Sequence, residues 1–366
     1  MKRTNQPKGK TVKALNLSRK VRANFLYKMG LKEMPHSILY HERSVVATDL
    51  LVEEEGRSYT GNMHDELKPL KSRTLKNAFS SAGKSVRRGR TYDSFSLGDQ
   101  AEDRRQRDLF AVSGMSCRSG GLSRFPQNIG KLIVQFHCPE GGIVYDPFAG
   151  HNSRMELVYN IDRNYVGVDV SHEFMEANRE LQTILFENDK KRLGLYKKTT
   201  TINLIEGSSS KVDLPNDYAD FTITSPPYWD LEYYGEEPEQ LGRAKTYESF
   251  MEFLLKHIEE NYRILKPGSF CAWFINDFTK NGIFYPYHVD LCTYFKKAGF
   301  VIHNVYIIDL GQPIAAAFVR TMVSSKRFPK RHEYCIMTRK PGENKLVEEH
   351  FKQLTKLAEE EEGGEE

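Results

Sequence analysis

Between residues 116 and 340, short apolar β-prone runs alternate with segments whose apolar residues recur at helical spacing. The predicted strands are Ile143–Tyr145, Tyr165–Asp169, Thr201–Ile205, Phe221–Thr224, Phe270–Ile275, Val301–Ile308 and Tyr334–Thr338. A helix over Ile129–Phe136 places Ile129, Leu132, Ile133 and Phe136 on one face and ends at Pro139 and Gly141-Gly142. A second helix starts near Ser153 and runs through Leu157. A third is capped by Ser171, with Phe174 and Ala177 facing inward. Tyr247–Leu265 turns Phe250, Phe253, Leu254, Ile258 and Leu265 to one side, and Lys266-Pro267-Gly268 stops it. His288–Lys297 is the last helix, ended by Gly299. This alternation predicts an α/β fold: a mainly parallel sheet with helices on both faces. No strong helix separates the last two strands, so they are expected to pair antiparallel. The intervening Gly311–His332 carries Arg320, Lys326, Arg327, Lys330 and Arg331 and is long for a hairpin loop, which marks a functional excursion.

The flanking segments differ. Residues 1–115 are polar, basic and weakly periodic. Lys2, Arg3, Lys8, Lys10, Lys13, Arg19, Lys20, Arg22, Lys28 and Lys32 have no acidic residue among them, nor do Lys68, Lys71, Arg73, Lys76, Lys84, Arg87, Arg88 and Arg90. Such runs suit phosphate-backbone contact, which adds affinity without sequence choice, or else a solvated tail. Residues 341–366 end in Glu359–Glu362, Glu365 and Glu366 and read as a solvated, disordered acidic tail, so a net charge of only +4 hides two opposed regions.

At 366 residues the chain can bury one full α/β core with extra segments around it. No apolar run approaches the roughly 20 residues of a membrane span, and the first residues carry no secretory signal. Cys117, Cys138, Cys271, Cys292 and Cys335 form no Cys-x-x-Cys pair, and the histidines lack ligand spacing. The expectation is a reduced, cytoplasmic protein with no metal, no disulfide framework and no membrane partner.

Chemistry-bearing residues fall where predicted strands end, which is where open α/β sheets bind ligands. Asp146-Pro147-Phe148-Ala149-Gly150 turns from the first strand toward a helix, and its small residues let backbone approach a bulky ligand. Asp169 closes the second strand, where a carboxylate can accept two ribose hydroxyls. Gly207-Ser208 follows the third. Ser225-Pro226-Pro227-Tyr228-Trp229 follows the fourth, and its prolines fix two φ angles and remove two donors. The loop therefore presents carbonyl oxygens and an aromatic face. A base amino group is a poor nucleophile because its lone pair is delocalised. Ser225 and the Pro226 carbonyl can each accept one amino hydrogen and favour a pyramidal nitrogen, while Tyr228 stacks on a ring drawn out of the duplex.

These motifs resemble the amino-methyltransferases that modify adenine or cytosine in DNA, a family with an Asp-Pro-Phe-Ala-Gly cofactor loop and a Ser/Asp/Asn-Pro-Pro-Tyr/Phe catalytic loop. Arg124-Phe125-Pro126 through Ile133 resembles the family's helix ahead of the cofactor loop, and Arg327–Tyr334 its late segment beside the target base. The resemblance covers residues 116–340. It implies a Rossmann-like seven-stranded S-adenosylmethionine methyltransferase fold with a basic N-terminal extension. It implies S-adenosylmethionine bound by Asp146, Pro147, Phe148, Ala149, Gly150, Asp169 and Ser208, and catalysis by Ser225, Pro226, Pro227 and Tyr228. The expected organisation is a basic accessory region at 1–115 with target recognition, a methyltransferase domain at 116–340 and an acidic tail at 341–366. DNA is the implied substrate, with a cognate restriction nuclease as a further implied partner.

The serine in the catalytic loop is more similar to enzymes acting on N4 of cytosine than on N6 of adenine. A cytosine C5 enzyme is not expected, because its family uses Pro-Cys and this chain has only Cys138-Pro139. There are two departures from the family: His151-Asn152 stands where Ser-Gly is usual, and Ser208 where an aspartate is frequent. Two other readings stay open: an RNA base amino-methyltransferase, and a nucleic-acid-binding protein whose cofactor pocket has decayed. Trp229 is expected to pack beneath Tyr228, Asp277 to sit near the pocket, and Tyr285-Pro286-Tyr287 to pack as loop or line the base pocket.

Overall fold

The computed structural model describes residues 19–28, 37–40, 85–87, 90–92, 125, 127–150, 153–193, 199–229, 241–309, 323, 325–328, 330 and 332–362. Ahead of the alternating block come α1 (Arg19–Lys28), β1 (Ile38–Tyr40), β2 (Ser85–Arg87) and β3 (Arg90–Tyr92). The block itself runs α2 (Gln127–His137), β4 (Ile143–Asp146), α3 (Ser153–Asn160), β5 (Asn164–Asp169), α4 (His172–Leu193), β6 (Ile202–Glu206), β7 (Ala219–Thr224), α5 (Tyr247–Ile264) and β8 (Leu265–Ile275). It continues with β9 (Phe278–Lys280), β10 (Ile283–Tyr285), α6 (Tyr287–Lys297), β11 (Val301–Asp309) and β12 (His332–Arg339), and α7 (Lys345–Glu362) closes the chain.

The main sheet has the order β1-β11-β12-β8-β7-β4-β5-β6. β6, β5, β4, β7 and β8 are parallel throughout, and β12 lies antiparallel between β8 and β11, as expected for the last two long strands. Both faces are covered. Val144, Phe221, Ile223, Phe270, Ala272 and Phe274 point into a core with α2, α3 and α4. Their strand neighbours Tyr145, Cys271, Trp273 and Ile275 point into a second core with α5 and α6. This period-two split explains why the strands read as continuous apolar runs.

Four expectations need correction. The sheet has eight strands, not seven. The extra one, β1, pairs parallel to β11 and buries Leu39 in the α2-side core, so part of the basic extension belongs to the sheet. The helix α5 does end ahead of Lys266-Pro267-Gly268, but β8 starts at Leu265 rather than Phe270, and the ladder to β7 slips between Ala219 and Phe221 to absorb those residues. Phe253 is 47% exposed, because it sits off the stripe made by Phe250, Leu254, His257, Ile258 and Asn261. The acidic tail is helical through Glu362 rather than disordered, and α1 rests on it, with Phe25 edge-on to His350 at 5.9 Å. Ser171 accepts from the Phe174 amide at 3.5 Å, and Thr246 and Ser249 make the reciprocal capping box that starts α5.

Candidate active site

Asp146, Asp169, Ser208 and Ser225 follow or close β4, β5, β6 and β7, which are neighbours in the sheet. The residues singled out from sequence are therefore brought together along one edge, at the carboxyl ends of parallel strands.

Asp146 frames the first loop from beneath. It is wholly buried, and its Oδ2 accepts from Arg154 Nε at 2.6 Å and the Tyr165 hydroxyl at 2.8 Å. Its Oδ1 accepts from Thr224 Oγ1 at 2.6 Å. Thr224 immediately precedes Ser225, so one bond ties the Asp146–Gly150 loop to the Ser225–Tyr228 loop. Arg154 also donates to the carbonyls of Phe148 and Ala149 and lies over the Phe125 ring at 5.2 Å, which brings the segment ahead of α2 under the same loop. Pro147 and Ala149 are buried. Phe148 is half-buried, edge-on to Trp273 at 5.7 Å and near the His257 ring at 5.2 Å.

Asp169 is set differently. One oxygen accepts the Gly150 amide at 2.7 Å and the other the Ser171 amide at 2.9 Å. Each oxygen keeps a second lone pair, and the residue is only partly covered. Burial pushes its carboxyl up to about 6, with Asp146 adding to the rise, while the two amides and Arg154 oppose it. Gly207, at φ +147°, has no atom within 4 Å of where a side chain would begin, so there is open space beside Asp169. Ser208 pairs with Ser210 at 2.9 Å. Ser209 is buried and bonds His257 Nδ1 at 2.8 Å, and burial lowers that imidazole to about 4, leaving it neutral.

In the second loop Ser225 and Tyr228 are half-buried and Pro226 is buried. The Pro227 carbonyl accepts from the buried Tyr287 hydroxyl at 3.3 Å. Tyr228 lies 5.8 Å from Tyr287 and meets Phe278 at 88° and 6.2 Å. Trp229 donates to the Ala244 carbonyl at 2.8 Å and packs on Tyr247 and Tyr285. Tyr285 and Tyr287 thus pack against the loop and its surroundings. Asp277 bonds His288 Nδ1 at 2.7 Å, and His288 stacks on Tyr334 at 4.0 Å. His332 bonds the Tyr334 hydroxyl at 2.9 Å.

Arg154, Tyr165, Thr224, Asn178 and His257 were not anticipated. The signal was a polar residue where the apolar rhythm continues: Thr224 ends a core strand and His257 lies in the apolar stripe of α5. Asn178 holds the Gly150 carbonyl at 2.9 Å. His151 and Asn152 lie outside the described residues, as do most of both basic runs and all of 311–322. Among the described residues no cluster could hold a metal ion, and no helix is long and apolar enough to cross a membrane.

A family model described as DNA methylase, for N6 and N4 methylases, matches residues 62–180 and 219–365. The match begins well inside the basic N-terminal region. No curated protein matches the chain. Among solved structures, an S-adenosylmethionine-dependent methyltransferase from Methanosarcina mazei is 14% identical over 61% of this chain and 100% of that one, with a TM-score of 0.40. A candidate DNA modification methylase from Thermus thermophilus, complexed with S-adenosyl-L-methionine, is 26% identical over 37% of this chain and 54% of that one, with a TM-score of 0.29. A methyltransferase from Aquifex aeolicus is 15% identical over 58% and 93%, with a TM-score of 0.35.

Proposed function

The chain belongs to the DNA methylase family, and from that premise we propose that it methylates an exocyclic amino group of a flipped DNA base, N4 of cytosine in preference to N6 of adenine. S-adenosylmethionine is the cofactor. The observation that carries the reading is the Thr224–Asp146 bond of 2.6 Å, which couples the two loops at their roots. That coupling supports a methyl donor and an acceptor base meeting at one edge of the sheet.

When bound, S-adenosylmethionine supplies a sulfonium methyl carbon open to attack by a nitrogen lone pair. The residues fit such a group. Asp169 has acceptor capacity for ribose hydroxyls, Gly207 leaves room beside it, Ser208 can hydrogen-bond an adenine ring, and Phe148 offers an apolar flank. Pro147, Ala149 and Gly150 complete the turn that Asp146 holds from below. Ser225 Oγ and the Pro226 carbonyl each accept one hydrogen of the target amino group. That pair of acceptors favours the pyramidal nitrogen of the transition state over the planar ground state. Proline at 226 and 227 keeps the carbonyls from turning away. Tyr228 stacks on the extruded base, and Tyr287 steadies the loop through the Pro227 carbonyl. The cytosine preference rests on Ser225. Target recognition is assigned to residues 1–115, supported by their two unopposed basic runs.

The test is nucleoside mass spectrometry of digested DNA from an expressing host, with duplex DNA and structured RNA compared as substrates in vitro. N4-methylcytosine in the DNA is the expected product. Ser225→Ala and Tyr228→Ala are each expected to cut it by about a hundredfold, the scale of removing one oriented transition-state contact. Methyl uptake by RNA alone, or near-normal product from both variants, overturns the reading.

A further inference from the structure

We propose that the β9–β10 hairpin is the duplex-engaging element of this enzyme, with Ile283 and Phe284 at its tip filling the gap that an extruded base leaves in the stack. The inference rests on the base-methylation reading above and names the part of the chain that opens the DNA.

The hairpin is fixed to the catalytic loop. Phe278 meets Tyr228, Tyr285 meets Trp229 at 5.5 Å, and Lys280 Nζ lies 4.0 Å over the Trp229 ring. Phe278 and Tyr285 stack on each other at 5.1 Å and face the loop. The turn between the strands is Asn281-Gly282, both at positive φ (50° and 82°), the two-residue connection that matches strand twist. Alternation puts Ile283 on the face of Tyr285 and Phe284 on the opposite one, and next to the turn both stay open to water: Ile283 is 59% exposed and Phe284 52%. A hairpin that buries its aromatic pair yet leaves its largest tip residues in water is built to meet something.

The chemistry around the tip selects the partner. Arg327 Nη2 donates to the Gly282 carbonyl at 2.6 Å. Lys330 Nζ reaches Asn276 Oδ1 at 2.7 Å and the Asp277 carbonyl, 5.9 Å from the Phe284 ring. Arg327 and Lys330 are thus held on the hairpin and at its base. Phe328, 91% exposed, extends the apolar surface. Asp277 and Glu333 both act on Lys330, but Asp277 already pairs with His288 at 2.7 Å, and Arg327 is held on the Gly282 carbonyl. Apolar side chains ringed by cations, next to a pocket that takes a single base, match a polyanion with a stack to enter. An apolar protein partner would not need the cations.

Extruding a paired base costs a few kcal/mol, and a mismatched base much less. An element that fills the vacated gap therefore matters only for the paired target. The experiment measures kcat/KM of the full-length enzyme and an Ile283→Ala/Phe284→Ala variant on two duplexes, one with the target base paired and one with it mismatched. Both residues are exposed, so the variant should keep its melting temperature and its S-adenosylmethionine affinity. The expected result is a loss of about tenfold or more on the paired duplex and about threefold or less on the mismatch. Equal losses on both, or none on either, overturn the inference while leaving the base-methylation reading intact. Failure of the wild-type enzyme to methylate either duplex overturns that reading, and this inference with it.

Discussion

Asp146 and Asp169 end adjacent parallel strands, and their surroundings give the same side chain two tasks. Asp146 is sealed, with three side-chain donors on two oxygens, and acts by fixing two loops. Asp169 keeps acceptor capacity and a pKa raised to about 6 by burial. Because the folded protein holds this proton more tightly than an unfolded chain, the stability contribution of Asp169 falls as pH rises from about 4 to 6 and is constant above. Ligand binding runs the other way, since hydroxyl donors bond the ionised carboxylate. Affinity for S-adenosylmethionine, measured by calorimetry, should be flat above about pH 7 and weaken toward tenfold per pH unit below 6. Asp169→Asn should bind about tenfold more weakly at pH 8 and lose the acid limb altogether. An unchanged limb in that variant would place the titrating group elsewhere.

At the scale of elements, β7 matters less for its length than for the residue that ends it. Thr224→Val keeps shape and β-propensity but removes one donor from a buried carboxylate, which costs about 1–3 kcal/mol of stability by urea unfolding. Because the same bond sets the Ser225 loop against the Asp146 loop, kcat should fall more than cofactor affinity, and Thr224→Ser should restore both. Equal losses of affinity and kcat would mean the bond only stabilises. This coupling was not legible in the sequence, where Thr224 is one more β-branched residue in a strand. The seven longer strands were legible because each holds an apolar, β-branched or aromatic run, and the central ones have both faces covered. The four candidate loops could be read as such because ligands of open α/β sheets sit beyond strand ends. Three-residue strands carry no period, so β1 passed as basic linker. The β9–β10 hairpin did announce itself in Asn281-Gly282, the strongest short turn signal, but its flanks were too short to read as strands. The α7 helix was masked by its glutamates, although Lys356 and Glu360 are one turn apart at 3.8 Å and Phe351 and Val347 repeat on one face.

For the whole molecule, the basic N-terminal region and the acidic C-terminal region are not independent appendages. Val21 in α1 is 3% exposed and Leu39 in β1 is 5% exposed, each a burial of about 2 kcal/mol. β1 also covers the edge of β11, pairing Ile38 with Ile307 and Tyr40 with Asp309, so losing it leaves a long unpaired strand at the margin of the sheet. The α1 contact falls on α7, where Phe25 meets His350. Removing residues 1–40 should therefore lower the unfolding free energy by several kcal/mol and promote self-association, whatever happens to DNA binding. Removing 345–366 should also destabilise, by taking away the surface on which α1 rests. The two deletions share that contact, so the double deletion should cost less than the sum of the single ones. Chemical denaturation of the four chains measures the difference. Strict additivity would mean that α1 and α7 stabilise the sheet separately. A shortfall would mean that α1 and α7, opposite in charge, stabilise the fold as one unit.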